Sequence, residues 1–239
     1  MRKIKNTGKK SKIIVFGAGE IAELAAYYFD VDSDYEVVGF VVDDEYATTS
    51  TLSGLPLVPW TEVKSTYPVT QYKLHVALGY TGLNQLRADK FNQCKDAGFE
   101  LVSYISSKAT TFSDLNLGIN CFILENQNIQ PRVEIGNNVM LWSGNHIGHG
   151  ARIRDHVYIS SHAVISGHVE IGERCFIGVN ASIRDFVKIE KGSFIGMGSI
   201  VTKNVSEGSV ILPSKSEVIT GSDPRAQRLI KSTFGTTQK

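Results

Sequence analysis

The chain has 239 residues, 42% of them hydrophobic, and Lys+Arg 25 against Asp+Glu 24 leaves a formal net charge of +1. That length carries one or two domains with full cores, and the even charge balance excludes the broad basic field that nucleic-acid binding draws on. No stretch approaches the ~20 apolar residues of a membrane span. The three cysteines, Cys94, Cys121 and Cys175, show no CxxC or Cys/His metal spacing and read as small core hydrophobes of a reduced, cytoplasmic protein.

Residues 1–11 hold Arg2, Lys3, Lys5, Lys9 and Lys10 and read as a solvated basic tail, with a phosphate or membrane-surface contact as the other reading. The apolar run over 13–16 is too short for a signal segment and leads into glycine. Strand and helix then alternate. A strand over 12–17 ends in a glycine turn. Ile21, Leu24, Ala25 and Tyr28 share one face of a helix over 20–29. A Val-rich strand covers 35–42, a loop 56–59, and a short helix starts at Trp60. A strand over 74–78, a helix over 83–97 stopped by Gly98, and a strand over 100–105 complete the pattern. This spacing predicts a small Rossmann-like parallel sheet over 12–107, about half a dinucleotide-binding domain.

From Ile123 to Val201 every sixth residue is Ile, Leu or Val. A six-residue period matches neither a helix nor an isolated strand and predicts a solenoid of short parallel strands. A small or β-branched residue follows most of these by four, from Val133 to Ser199 with Cys175 among them, and Cys121 holds the same repeat position before the series. Three hexapeptides close one coil, so residue i stacks on i+18, one strand spacing (~4.8 Å) away. About five coils fill 108–213, with Ile129, Ile147, Ile165, Ile183 and Val201 as one internal ladder. A C-terminal segment over 214–239 carries a helix over 224–231.

Two motifs carry chemistry. Gly17-Ala18-Gly19-Glu20-Ile21-Ala22 sits between a strand and a helix, where backbone N–H groups meet phosphates. Asp43 and Asp44 stand downstream for a ribose or base, and Gly79 and Tyr80 border the same crevice. NAD, another nucleotide and a purely structural turn all fit; the missing substrate half for hydride transfer favours a nucleotide other than NAD. The second motif is a histidine group, His146, His149, His156, His162 and His168. His156, His162 and His168 share one repeat position and fall at three successive corners. His149 differs, because it lies between Gly148 and Gly150 and stacks on Gly167. An imidazole beside a residue without a side chain leaves room for a substrate and a free N–H, the needs of acyl transfer.

A strand–GAGE–helix half-domain, a Val-Val-Asp-Asp segment and a hexapeptide array with an Ile-Gly-His turn together resemble the bacterial nucleotide-sugar acyltransferases, of the sialic acid O-acetyltransferase and bacillosamine-pathway N-acetyltransferase type. The resemblance implies a left-handed β-helix, a homotrimer with its active site between subunits, acetyl-CoA as donor and no metal. It implies a UDP-linked 4-amino-4,6-dideoxy sugar as acceptor, in surface glycan synthesis. His149 matches the catalytic base and Gly167 the glycine whose N–H binds the thioester carbonyl. Gly17, Gly19, Glu20, Asp43, Asp44, Gly79 and Tyr80 match the nucleotide-sugar site. Tyr158, Gly178, Gly196, Lys203 and Lys215 fall in the CoA-binding part. The chain departs from the pattern at Gly150, where relatives place a carboxylate, and at Tyr158, where they place a second histidine. The alternatives are sugar O-acetylation, a zinc enzyme of the γ-carbonic anhydrase type, and a non-catalytic sugar-nucleotide binder.

Overall fold

The computed structural model describes residues 11–235; the basic tail apart from Ser11 lies outside them. β1 (Ser11–Phe16), buried from Ile13 on, feeds α1 (Glu20–Asp32), and β2 (Tyr35–Val42) returns parallel to it. β3 (Thr51–Leu52) and β4 (Leu55–Pro59) follow, then α2 (Val63–Thr66), β5 (Lys73–Val76) and α3 (Gln85–Asp96). The sheet order is β3-β4-β2-β1-β5, parallel except for the β3–β4 hairpin. The proline-flanked segment expected as a loop over 56–59 is therefore strand. Its prolines stand near its two ends: Pro56 lies opposite Thr51 in the short hairpin with β3, and Pro59 is the last residue paired to β2.

The strand expected over 100–105 is also divided differently. Leu101 makes a lone bridge to Leu74, whereas Tyr104–Ile105 pairs with Phe122–Ile123 and heads the β-helix. Its aromatic partner, not the α/β sheet, decides its place: the Tyr104 ring lies 5.4 Å from that of Phe122.

The hexapeptide array forms three parallel faces. The first stacks strands at Asn116, Glu134, Arg152, Glu170 and Lys188. The second runs from Tyr104 through Phe122, Met140, Tyr158, Phe176 and Phe194 to Val210. The third stacks Asn128, His146, Val164, Ser182 and Ile200. The i+18 register holds up to the last coil, and Ile129, Ile147, Ile165, Ile183 and Val201 pair in line with their side chains in the core. Only the last coil shortens, with Phe194 opposite Val210. Each fully buried Ile contributes about 1.5–3 kcal/mol, so the ladder is the main cohesive element of this half.

A second period of six marks the corners. From Asn120 to Gly198 every sixth residue has positive φ, including His156, His162 and His168 at 62°, 59° and 57°. The left-handed conformation favours Asn and Gly, which fill most of these slots. The half-domain is docked on the second face. Arg87 of α3 is fully buried and donates to the carbonyls of Asn138, His156 and Val157. At the other edge of the face Tyr28 of α1 donates to Glu125 at 2.8 Å. α4 (Pro224–Phe234) is capped by Asp223, which accepts from the Arg225 amide.

Candidate active site

The corner joining the third face to the first is built from Gly148, His149, Gly150 and Ala151. Its glycines are sterically required. A Cβ on Gly148 would meet the Ser166 carbonyl carbon at 2.5 Å, and Gly150 has φ +66° with the His168 ring 2.7 Å from where its Cβ would lie. His149 is exposed, and its ring covers Gly167, where a Cβ would meet Cε1 at 2.8 Å and Nε2 at 3.1 Å. Stacking of His149 on Gly167 thus follows the coil arithmetic of the sequence.

The partner that stands in for the missing carboxylate is Gln130, one coil below. Its Oε1 accepts from the His149 amide at 2.8 Å and lies 3.2 Å from Nδ1. With Nδ1–H on that oxygen, Nε2 is left as the acceptor, the tautomer a general base requires. The free N–H expected at Gly167 is not free. Gly167 is buried beneath the imidazole and its amide donates to Asp185 Oδ1 at 2.8 Å. Each corner amide seeks an acceptor, and the next residue up this column, Asp185, supplies it; Asn137 on Asp155 repeats the device. What Gly167 gives the site is space.

His156 and His162 occupy the other two corners. His156 is buried, contacts Asn138 and the Phe91 ring, and is held toward the neutral form mainly by burial. The three repeat-position histidines point to three different edges of one chain. Only His168 shares the His149 corner, with ring centroids 5.0 Å apart.

The glycine turn after β1 forms as expected. Gly17 has φ +135° and a Cβ there would strike the Ala77 carbonyl oxygen at 2.7 Å. Gly19 starts α1 with no side-chain cap, and nothing lies within 4 Å of where its Cβ would be. Gly19 and Glu20 are exposed, and the Ala22 and Glu23 amides already donate to the Gly19 carbonyl, so this helix start is open to solvent at its first residues, where an anion would bind. Asp43 lies at the crevice but is paired to Lys90 of α3 at 2.5 Å, and Asp44 accepts from the Thr61 amide at 3.1 Å. Lys90, missed in the sequence because helix periodicity does not show which face meets a sheet edge, places a cation beside the turn. Gly79 approaches Ile21 of α1.

Tyr80 links the half-domain to the helix. Its ring packs edge-on against Tyr158 and Phe176 at 5.1 and 4.9 Å. With Trp142, Phe194 and Met197 these rings line a cavity of about 430 Å³ that also includes Gly178. Tyr158 is buried there, and burial pushes its phenol up to about 12, so it is neutral at ordinary pH. It lies on the second face, away from the His149 corner. Gly196 stacks one coil above Gly178 and packs under Ile211 and Pro213. Lys203 and Lys215 are exposed, and Lys203 continues the column of His149, Gly167 and Asp185.

Within one chain, then, the nucleotide crevice and His149 do not meet. The half-domain covers the second face, and His149 sits at the corner opposite it.

The bacterial transferase hexapeptide model (six repeats) matches residues 132–167 and 168–203. No curated protein sequence matches the chain. Among solved structures, the acetyltransferase domain of PglB from Neisseria gonorrhoeae FA1090 in complex with acetyl coenzyme A is 24% identical, covering 87% of this chain and 100% of that one, with a TM-score of 0.74. PerB from Caulobacter crescentus, solved with CoA and GDP-perosamine, is 21% identical over 83% of this chain and 92% of that one, with a TM-score of 0.72. WeeI from Acinetobacter baumannii AYE is 21% identical over 84% and 96%, with a TM-score of 0.64. The match to the hexapeptide repeats over residues 132–203 and the likeness to these structures over most of the chain give it their fold, a left-handed β-helix with an α/β half-domain before it.

Proposed function

We propose that the chain is an acetyl-CoA-dependent N-acetyltransferase whose acceptor is a nucleotide-linked amino sugar, a UDP-linked 4-amino-4,6-dideoxy sugar used in surface glycan synthesis. The observation that carries this reading is His149, exposed, held through Nδ1 by Gln130 and seated on a glycine. The likeness to PerB, solved with CoA and a nucleotide amino sugar, supports the substrate pair and puts GDP beside UDP as the nucleotide to test.

The acceptor amine attacks the thioester carbonyl of acetyl-CoA. A C–N bond forms, the C–S bond breaks, and the amine proton passes to His149 Nε2. The CoA thiolate leaves and takes up a proton. An amine needs less activation than a hydroxyl, so a base oriented by an amide rather than a carboxylate is adequate, which favours N- over O-transfer.

Because the crevice and His149 lie on opposite sides of one chain, a substrate reaching both is held by one copy and deprotonated by its neighbour. A homotrimer supplies that arrangement. The sugar nucleotide lies at Gly17, Gly19 and Glu20 with Asp43 and Asp44 near its base. Tyr80 and Gly79 lead it toward the aromatic cavity with Tyr158 and Gly178. Lys203 and Lys215 offer cations to CoA phosphates, whereas Gly196, buried under Ile211 and Pro213, has no open backbone to offer the cofactor.

Thiol release from acetyl-CoA, measured over UDP-, dTDP- and GDP-linked amino sugars, tests the reading. Acceptor-dependent release with one nucleotide class is expected. Release with none of them, or stoichiometric zinc in the purified protein, would overturn it.

A further inference from the structure

Phe186 breaks the chemistry of its own ladder. It occupies a left-handed corner slot, φ 62°, one coil above His168 and two above Gly150. The other slots between Asn120 and Gly198 hold Asn, His, Arg or Gly. Phe186 has neither glycine's freedom nor a short polar side chain that bonds locally, so this position is strained. Nor does burial reward it, since its side chain is 73% exposed. Strained, exposed and apolar is a combination that folding alone does not explain, and such residues gather at ligand sites.

Its surroundings say which ligand. The ring stacks on His168 at 5.0 Å and 8°, and His168 meets His149 edge-on at 5.0 Å. His149, His168 and Phe186 thus form a continuous aromatic wall that starts at the candidate base and rises along the coil axis. Beside it lies a cavity of about 400 Å³ lined by Gly150, Arg152, Glu170, Phe186, Lys188 and Asn204, with Arg152 paired to Glu170 at 3.4 Å at its lower end. Lys203, further up the adjoining column, is exposed. An aromatic wall with the candidate base at its foot and the cations Lys188 and Lys203 toward its upper end matches a thioester at the end of a long, flexible arm that finishes in phosphates.

We infer that Phe186 is a positioning residue for the acyl donor, holding the thioester arm of acetyl-CoA against the corner so that its carbonyl reaches His149. This rests on the acetyltransferase reading above. The occupant lies across the ring, where its methylene groups gain contact area without a directional bond.

Phe186→Asn tests it, because Asn suits the left-handed slot. The thermal midpoint should stay level or rise, while the dissociation constant for acetyl-CoA, measured by calorimetry without acceptor, should rise about tenfold, the scale of one lost aromatic contact. KM for the sugar nucleotide should hold, kcat at saturating donor should fall because the carbonyl is no longer held at His149, and Phe186→Tyr should restore both donor affinity and kcat. An unchanged donor constant would overturn the inference, as would a rise confined to the acceptor KM or loss of the wild-type oligomer in the variant. Wild-type binding of acetyl-CoA without any acceptor-dependent thiol release would instead sink the function reading and leave the Phe186 measurement standing.

Discussion

At the residue scale the site turns on which atoms are left free. His149 keeps Nε2 open because Gln130 takes Nδ1. His149→Ala should lower kcat by roughly 10²-fold or more, the scale of general-base catalysis, with little change in KM for either substrate. Near-wild-type turnover would remove it from the role. His75 shows the opposite use of an imidazole. It is fully buried between the Phe29 and Phe122 rings, its Nδ1 lies 2.9 Å from the Val102 carbonyl, and burial lowers its pKa to about 4. The unfolded chain takes up a proton near pH 6.5 that the folded chain refuses, so stability is full above that pH and falls as pH drops toward 4. The loss reaches about 3 kcal/mol at its limit. Between pH 6.5 and 5, above the range in which Asp32 and Glu125 protonate, His75→Leu should flatten the decline of the thermal midpoint. A slope equal to wild type would show that another group drives it.

At the element scale the six-residue ladder was the most legible feature of the chain. The period of Ile123 to Val201 gave the coil, the i+18 register and the stacking of His149 on Gly167, and all three hold. It also implies where the array is most sensitive. Ile165, sandwiched between Ile147 and Ile183, should cost about 2–5 kcal/mol when cut to Ala, seen as a lower urea midpoint. A loss below 1 kcal/mol would mean that the coil collapses onto the gap. What the sequence hid has physical causes. β4 was masked by its prolines, which stand in the short hairpin with β3 and at the last residue paired to β2. Asp185 and Gln130 were hidden because the ladder tells which residues are neighbours but not which way an amide donates. The aromatic face of Tyr158, Phe176 and Phe194 lies in the outward slot beside each core Ile, where hydropathy alone does not separate a docking surface from an exposed one.

At the scale of the whole molecule, the half-domain is fixed to one face of the triangular helix and the candidate base stands at the far corner. The buried Arg87, with three carbonyl acceptors on the helix, sets that relation. On the proposed function, a sugar nucleotide bound at the Gly19 turn would meet the His149 of another copy. Two lesions separate the halves of such a site. His149→Ala removes the base. Gly19→Glu places a carboxylate where phosphate would lie, and nothing within 4 Å obstructs it. The second variant should keep the wild-type thermal midpoint while raising KM for the sugar nucleotide. The decisive measurement is acetyl transfer by the two variants co-expressed and purified as mixed oligomers. Each alone should be nearly inactive, and the mixture should recover acceptor-dependent thiol release, because some sites then pair an intact crevice with an intact His149 from a different chain. A mixture as inactive as its parents, in oligomers shown to contain both chains, would contradict a site shared between copies.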